Sequence, residues 1–220
     1  MSMIVKENGG ADIPVLEAGV YTAYSTALVD LGVQRSEKFQ KDTRKFRIIW
    51  TIKDEEIDLN GEKYPRTISK EYSFSLGDKS TLKKDLQAWR GKPFTAEELQ
   101  GFDLTTILNK ACQLQIIVEE KDGKHYNNIA AIMALPKGTI VEVPKVGTVF
   151  DTYNSDTWAN YENIPKFMQD RIKQAINMTE ELNSFIKEYE DSKAKEQTAK
   201  ENNSIVEDDG IIAPADDLPF

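Results

Sequence analysis

Six cations fall within residues 35–47: Arg35, Lys38, Lys41, Arg44, Lys45 and Arg47, opposed only by Glu37 and Asp42. Such a run, extended by Lys53, suits a row of phosphates, because each cation can replace a condensed counterion on a polyanion. A phosphate chain that also carries bases needs aromatic faces, each stacked base contributing about 1–3 kcal/mol. Tyr21 and Tyr24 lie on opposite faces of an extended stretch, so one of them must point outward. Tyr126 stands beside Lys124 and His125 at a turn. The bland alternative is a solvated basic loop. A second constellation closes the sequence: Asp216, Asp217, Leu218, Pro219 and Phe220 form an acidic plug with an apolar anchor, fitted to a pocket with a basic rim and an apolar floor.

Other chemistries lack their parts. One cysteine, Cys112, excludes an internal disulfide, and with one histidine, His125, no usual His/Cys zinc site can be assembled. No phosphate-cradling glycine loop or nucleophile motif is present, and His125 has no orienting carboxylate at a motif spacing, so neither an enzyme nor a cofactor is expected. The net charge of -9 is unevenly distributed. Residues 1–150 hold 21 Lys+Arg and 21 Asp+Glu, whereas residues 151–220 hold 7 and 16. A neutral body with local basic patches can still attract phosphates, and the excess acid belongs to the C-terminal third. The absence of an apolar run near 20 residues, and of an apolar stretch in Met1 to Asp12, leads to the expectation of a cytoplasmic protein without membrane partners.

The elements that would position these residues follow from periodicity. Val20 to Val29 reads as a long strand ending at Asp30-Leu31-Gly32. Lys45 to Lys53 alternates, with Phe46, Ile48, Trp50 and Ile52 inward, so the basic loop feeds a strand whose outer face stays basic. Asp54 to Lys63, with Asn60-Gly61, reads as a turn into a third strand, Tyr64 to Leu76, with Tyr72 and Phe74 assigned to the core. Ser80 caps a helix through Leu82, Leu86 and Trp89 that stops at Gly91; Thr95 caps a second, and Leu104 to Leu108 makes a third. Trp89, on the apolar face, is assigned to the core, while Arg90 and Lys92 are open to either role. Strands return at Ala111 to Glu120 and Tyr126 to Leu135, joined by Asp122-Gly123.

Three strands, helices, then two strands is the order of a five-stranded OB-fold barrel with a helical insert between strands 3 and 4, an architecture that often binds single-stranded nucleic acid. The expected organisation is an OB-fold domain over residues 1–150, a connecting segment and C-terminal helix over 151–191, and a disordered acidic tail over 192–220. Thr139 to Asp151 could add an edge strand. One helix is expected from Ile164 to Tyr189, with an apolar stripe of Phe167, Met168, Ile172, Ile176, Leu182, Phe185 and Ile186 facing either the barrel or a second copy.

The tip Asp216-Asp217-Leu218-Pro219-Phe220 resembles the acidic terminus of bacterial single-stranded DNA-binding proteins. The segment Leu82, Leu86, Trp89-Arg90-Gly91-Lys92-Pro93-Phe94-Thr95, Glu98 and Phe102-Asp103-Leu104, with the strand after Cys112, resembles a group of bacteriophage-encoded single-stranded DNA-binding proteins over roughly residues 70–136. The resemblance implies an OB-fold that coats single strands during phage replication or recombination in the bacterial host cytoplasm, with a tip that recruits replication or recombination proteins. Independently of the resemblance, the carboxylates of the tail are expected to lie near the basic groove in the free protein and to compete with phosphates there. The contrasting expectations are an acidic adaptor or DNA mimic whose barrel binds protein, and a strand-annealing recombinase. A homo-oligomer remains open.

Overall fold

The computed structural model describes residues 14–37, 40–59 and 61–206. Lys38, Asn60 of the expected turn and the tip Asp216–Phe220 lie outside the described residues, and the turn expected from Asp54 is instead strand as far as Leu59. The chain divides into two units, Met1–Asn177 and Met178–Phe220.

The first unit is mainly β. Its strands are β1 (Gly19–Ser36), β2 (Lys41–Leu59), β3 (Glu62–Ser73), β4 (Ala111–Lys121), β5 (Lys124–Met133) and β6 (Thr148–Phe150). The first five form a curled antiparallel half-barrel in the order β3-β2-β1-β4-β5, compatible with an OB-like barrel, and β6 pairs parallel with β1. Asn127 on β5 ties the two ends of the curl. Its Oδ1 accepts from Arg66 on β3 at 3.3 Å and from the Leu16 backbone at 2.8 Å, and its Nδ2 donates to the Leu16 carbonyl. Inside the curl, Phe46, Ile48, Trp50 and Ile52 meet Tyr72, Leu114, Ile116 and Ile132, each large buried side chain contributing about 1.5–3 kcal/mol over exposure.

Helices α1 (Thr81–Arg90) and α2 (Ala96–Gln100) and a 3-10 turn (Leu104–Ile107) stand between β3 and β4. Ser80 caps α1 by accepting from the Lys83 amide, and Gly91 closes it. Leu82, Leu86 and Trp89 enter the core, where Trp89 Nε1 donates to the Ala111 carbonyl at 2.9 Å. Thr95 and Glu98 make a capping box on α2, two otherwise orphaned amides being satisfied reciprocally.

Several expectations change. β1 does not end at Asp30-Leu31-Gly32: Asp30 accepts from the Gly32 amide at 3.0 Å, and the strand passes through a bulge and continues to Ser36. Gly32 has φ +69°, and a Cβ there would lie 2.6 Å from Ala175 Cβ, so both conformation and space require glycine. The basic stretch is consequently not a loop; Arg35 and Ser36 pair with Asp42 and Lys41 across the β1–β2 ladder. Phe74 lies just beyond β3 and is 41% exposed instead of buried.

The helix expected from Ile164 to Tyr189 is two. In the first unit, a 3-10 segment (Ser155–Asn163) leads to α3 (Lys166–Lys173), which packs on β1, and the rings of Phe150 and Tyr161 sit 5.6 Å apart. After α3 the backbone docks onto the β1 bulge: the Ile176 amide donates to the Val33 carbonyl at 3.0 Å, and Asn177 Oδ1 accepts from the Val33 amide at 2.5 Å. Those bonds replace the helical ones and end the helix. Met168 and Ile172 are buried, whereas Phe167 and Ile176 from the same stripe are exposed. In the second unit, α4 (Glu180–Val206) starts with Thr179 Oγ1 accepting from the Leu182 amide. It remains helical through residues 192–206, where the sequence predicts disorder. Among the described residues no helix is long and apolar enough to cross a membrane.

Candidate nucleic-acid interface

Alternation along β2 sorts its cations. Phe46, Ile48 and Trp50 face inward, so Lys45 and Arg47 project from the other side, while Arg44 shares the inward side at the open end of the curl. Register then decides what each meets. Arg47 pairs with Glu71 on β3 and donates to Ser69 Oγ at 2.9 Å. Glu71 lies 3.7 Å from both Arg47 and Arg171 of α3, and the Arg47 guanidinium rests 5.2 Å from the Phe167 ring. Burial pulls Arg47 below the ordinary arginine value; Glu71 opposes this and Arg171 adds to it.

Arg47, Ile68 and Ser69 form one wall of a cleft of about 520 Å³. The opposite wall comes from the β4–β5 hairpin: Glu119, Lys121, Tyr126, Asn127 and Asn128. The hairpin stands where it does because Asp122 and Gly123, both at positive φ, make the two-residue turn that suits twisted strands. The structure therefore brings together Arg47 and Tyr126, which the sequence places far apart. Tyr126 is 47% exposed, leaving its ring available as a stacking face. Lys124 is exposed at the turn of the same hairpin.

A larger cleft of about 840 Å³ adjoins the other end of the β2–β3 pair, with Lys41, Lys45, Lys79, Ser73 and Phe74 among its walls. Its carboxylates are engaged: Asp42 with Arg35 at 3.1 Å, Asp78 with Lys83 at 2.7 Å, and Glu71 with the two arginines. Lys41, Lys45 and Lys79 have no ion-pair partner among the described residues. The Glu71–Arg47 pair links the clefts, since Glu71 lines one and Arg47 the other.

Arg44 also lines the larger cleft, whereas Arg35, Lys53, Tyr21 and Tyr24 lie outside both. Arg44 bridges Asp30 and Asp151, each at 2.8 Å, between the rings of Phe74 and Tyr153 at 4.3 and 4.5 Å. Burial alone would lower its pKa, but the bonds and charge of Asp30, with Asp151, raise it above the ordinary value. Asp30 also accepts from the Thr152 amide and hydroxyl. Arg44 thus holds β1, β2 and the segment after β6 together. Lys53 pairs with its neighbour Asp54 at 2.5 Å. Tyr21 packs against the core and donates to the Glu17 carbonyl, and Tyr24 is half-buried on the opposite face.

Sequence reading missed Lys121, Ser69, Asn127, Asn128 and Phe167. The polar pair Asn127-Asn128, directly ahead of the apolar run Ile129 to Met133, is a usable signal; the placement of Phe167 near Arg47 depends on how α3 packs on β1 and has none. The fold and clefts define a mainly β protein, a curled antiparallel half-barrel flanked by helices, with a lysine-lined cleft beside the β2–β3 strands. No family model matches the chain, and no curated protein matches it.

Proposed function

We propose that this protein binds single-stranded DNA without sequence preference, through an OB-fold whose groove runs from the Lys41/Lys45 cleft past Arg47 to the β4–β5 hairpin. The observation that carries the reading is the meeting of Arg47 and Tyr126 across one cleft. Cations set at intervals take successive phosphates, and the exposed faces of Tyr126 and Phe167 take bases. Ser69, Asn127 and Asn128 supply neutral donors and acceptors that suit any base.

The role that follows is coating single strands during phage replication or recombination, with the acidic terminal segment recruiting replication or recombination proteins. A fluorescence-polarisation titration of oligo-dT against duplex of equal length, at two salt concentrations, tests the binding. Oligo-dT binding should exceed duplex binding, with log K falling linearly in log salt at about 0.7 per phosphate contacted. Equal affinity for both forms would remove the reading. Binding to neither would favour the adaptor alternative.

A further inference from the structure

Helix α3 is not part of the half-barrel, yet two of its side chains reach β2 and β3. Met168 and Ile172 bury one side of the helix, which packs on β1. Phe167 and Arg171, one turn apart, share another side. Phe167 is 52% exposed with its ring 5.2 Å from the Arg47 guanidinium, and Arg171 Nη2 lies 3.7 Å from Glu71 Oε2. Strand β1 fixes this end of the helix: the Arg171 carbonyl accepts from Nε2 of the buried Gln34 at 2.9 Å.

Arg47 Nη2 stands 3.7 Å from the same Glu71 oxygen. Neither distance is a hydrogen bond, and the two arginine nitrogens are therefore no more than twice 3.7 Å apart. The acid next to Arg171, Asp170, is 3.5 Å from Lys166 and 3.3 Å from Lys173, so Glu71 is the one carboxylate paired with Arg171 among the described residues. Two guanidiniums thus converge on one carboxylate that bonds to neither, which leaves one positive charge uncompensated. Beside them, Ser69 Oγ accepts from Arg47 Nη1, so its own hydrogen can be donated to an anion. We infer that Arg47 and Arg171 form one seat for a single backbone phosphate, which makes α3 part of the DNA-binding surface; the inference rests on the single-strand reading above. A phosphodiester has two unesterified oxygens, and accepting one bond of about 2.7–2.9 Å through each lets it span the gap between the arginines. Ser69 supplies a further donor, and Phe167, one turn from Arg171, takes the adjoining base. The seat needs both arginines, because with either one gone Glu71 neutralises the other.

The test titrates oligo-dT over a range of salt against Arg47→Ala, Arg171→Gln and the double variant of the full-length chain. Arg171→Gln should weaken binding at low salt about tenfold, the loss of one charge-assisted bond. It should also lower the slope of log K against log salt by about 0.7. The double variant should lower the slope by about 0.7 in total, since one shared phosphate is lost whichever arginine is removed. Adding Glu71→Gln to Arg171→Gln should recover the slope by freeing Arg47, an effect that a purely structural Arg171 would not show. The Arg171 side chain is 42% exposed, so the thermal melt should stay where it is. Unchanged oligo-dT binding in Arg171→Gln would overturn the proposal and leave the rest of the groove standing, as would a failure of Glu71→Gln to recover the slope. A slope lowered by about 1.4 in the double variant would also overturn it, by giving each arginine a phosphate of its own. Absence of oligo-dT binding in the unsubstituted chain would remove the functional reading itself, and this inference with it.

Discussion

Arg44 and Arg47 lie on one strand, close in sequence, and have opposite surroundings. Arg44, on the inward side, is clamped by Asp30 and Asp151 and sandwiched by two rings. Arg47, on the other side, touches one carboxylate at 3.7 Å and lines an open cleft facing Tyr126. A run of cations is therefore not a run of equivalent binders. Strand parity sends every second one toward the interior of the curl, where a charge survives only if it is paired. The same comparison separates stability from binding, so each arginine should move one quantity and not the other.

The largest effect is expected at Arg44. Arg44→Ala leaves Asp30, 4% exposed, as a buried carboxylate that keeps only the Thr152 and Gly32 donors. Removing one partner of a buried pair costs about 3–5 kcal/mol. Urea denaturation should show a loss of that order, and a loss below about 1 kcal/mol would mean that Arg44 is not structural and belongs with Arg47.

That network also explains what could and could not be read from the sequence. The Asp122-Gly123 hairpin, the Ser80 cap with its stop at Gly91, and the inward set Phe46, Ile48, Trp50 and Ile52 are local patterns, and each stands where periodicity and turn chemistry put it. Asp30 next to Gly32 reads locally as a strand end. It is a bulge because Arg44 on the neighbouring strand neutralises the aspartate and Thr152, distant in sequence, hydrogen-bonds to it. The break after α3 likewise depends on Val33 and Asn177 meeting. For the site, the sequence supplied the basic stretch and Tyr126, but the pairing of Arg47 with Glu71 required the β2–β3 register. Phe74 looked like core because it continues an alternating strand; the strand ends at Ser73, and Arg44 covers the exposed ring.

Tyr126→Ala should show the next largest effect, on the binding side of the comparison. Removing one stacking face costs about 1–3 kcal/mol of oligo-dT affinity. Because the ring is 47% exposed, the thermal melt should hardly move. A variant that melts earlier and binds normally would place Tyr126 with the structural aromatics.

Arg47→Ala and Lys45→Ala sharpen the comparison through salt dependence. Each should reduce the slope of log K against log salt by about 0.7, the value of one phosphate contact on a single strand. Arg47 first has to share its charge with Glu71, so Glu71→Gln should raise oligo-dT affinity, while Lys45 has no such competitor among the described residues. If Glu71→Gln lowers affinity, Glu71 orients Arg47 instead of competing for it.

Lys53 should give the smallest effect, although it has the same charge and lies on the same strand. It follows Ile52, the last residue of β2 whose partner on β1 lies in the paired ladder, and the β2–β3 register shifts beyond Thr51. Asp54, at φ +63°, marks that irregularity and holds the lysine in a pair exposed at 40% and 80%. An exposed pair contributes about 0–1 kcal/mol. Lys53 also lies outside both clefts. Lys53→Ala should leave the melt and the salt slope unchanged. A slope lowered by about 0.7 would extend the phosphate path along the whole of β2 and make position on the strand, rather than freedom from a partner, the property that selects a cation for binding.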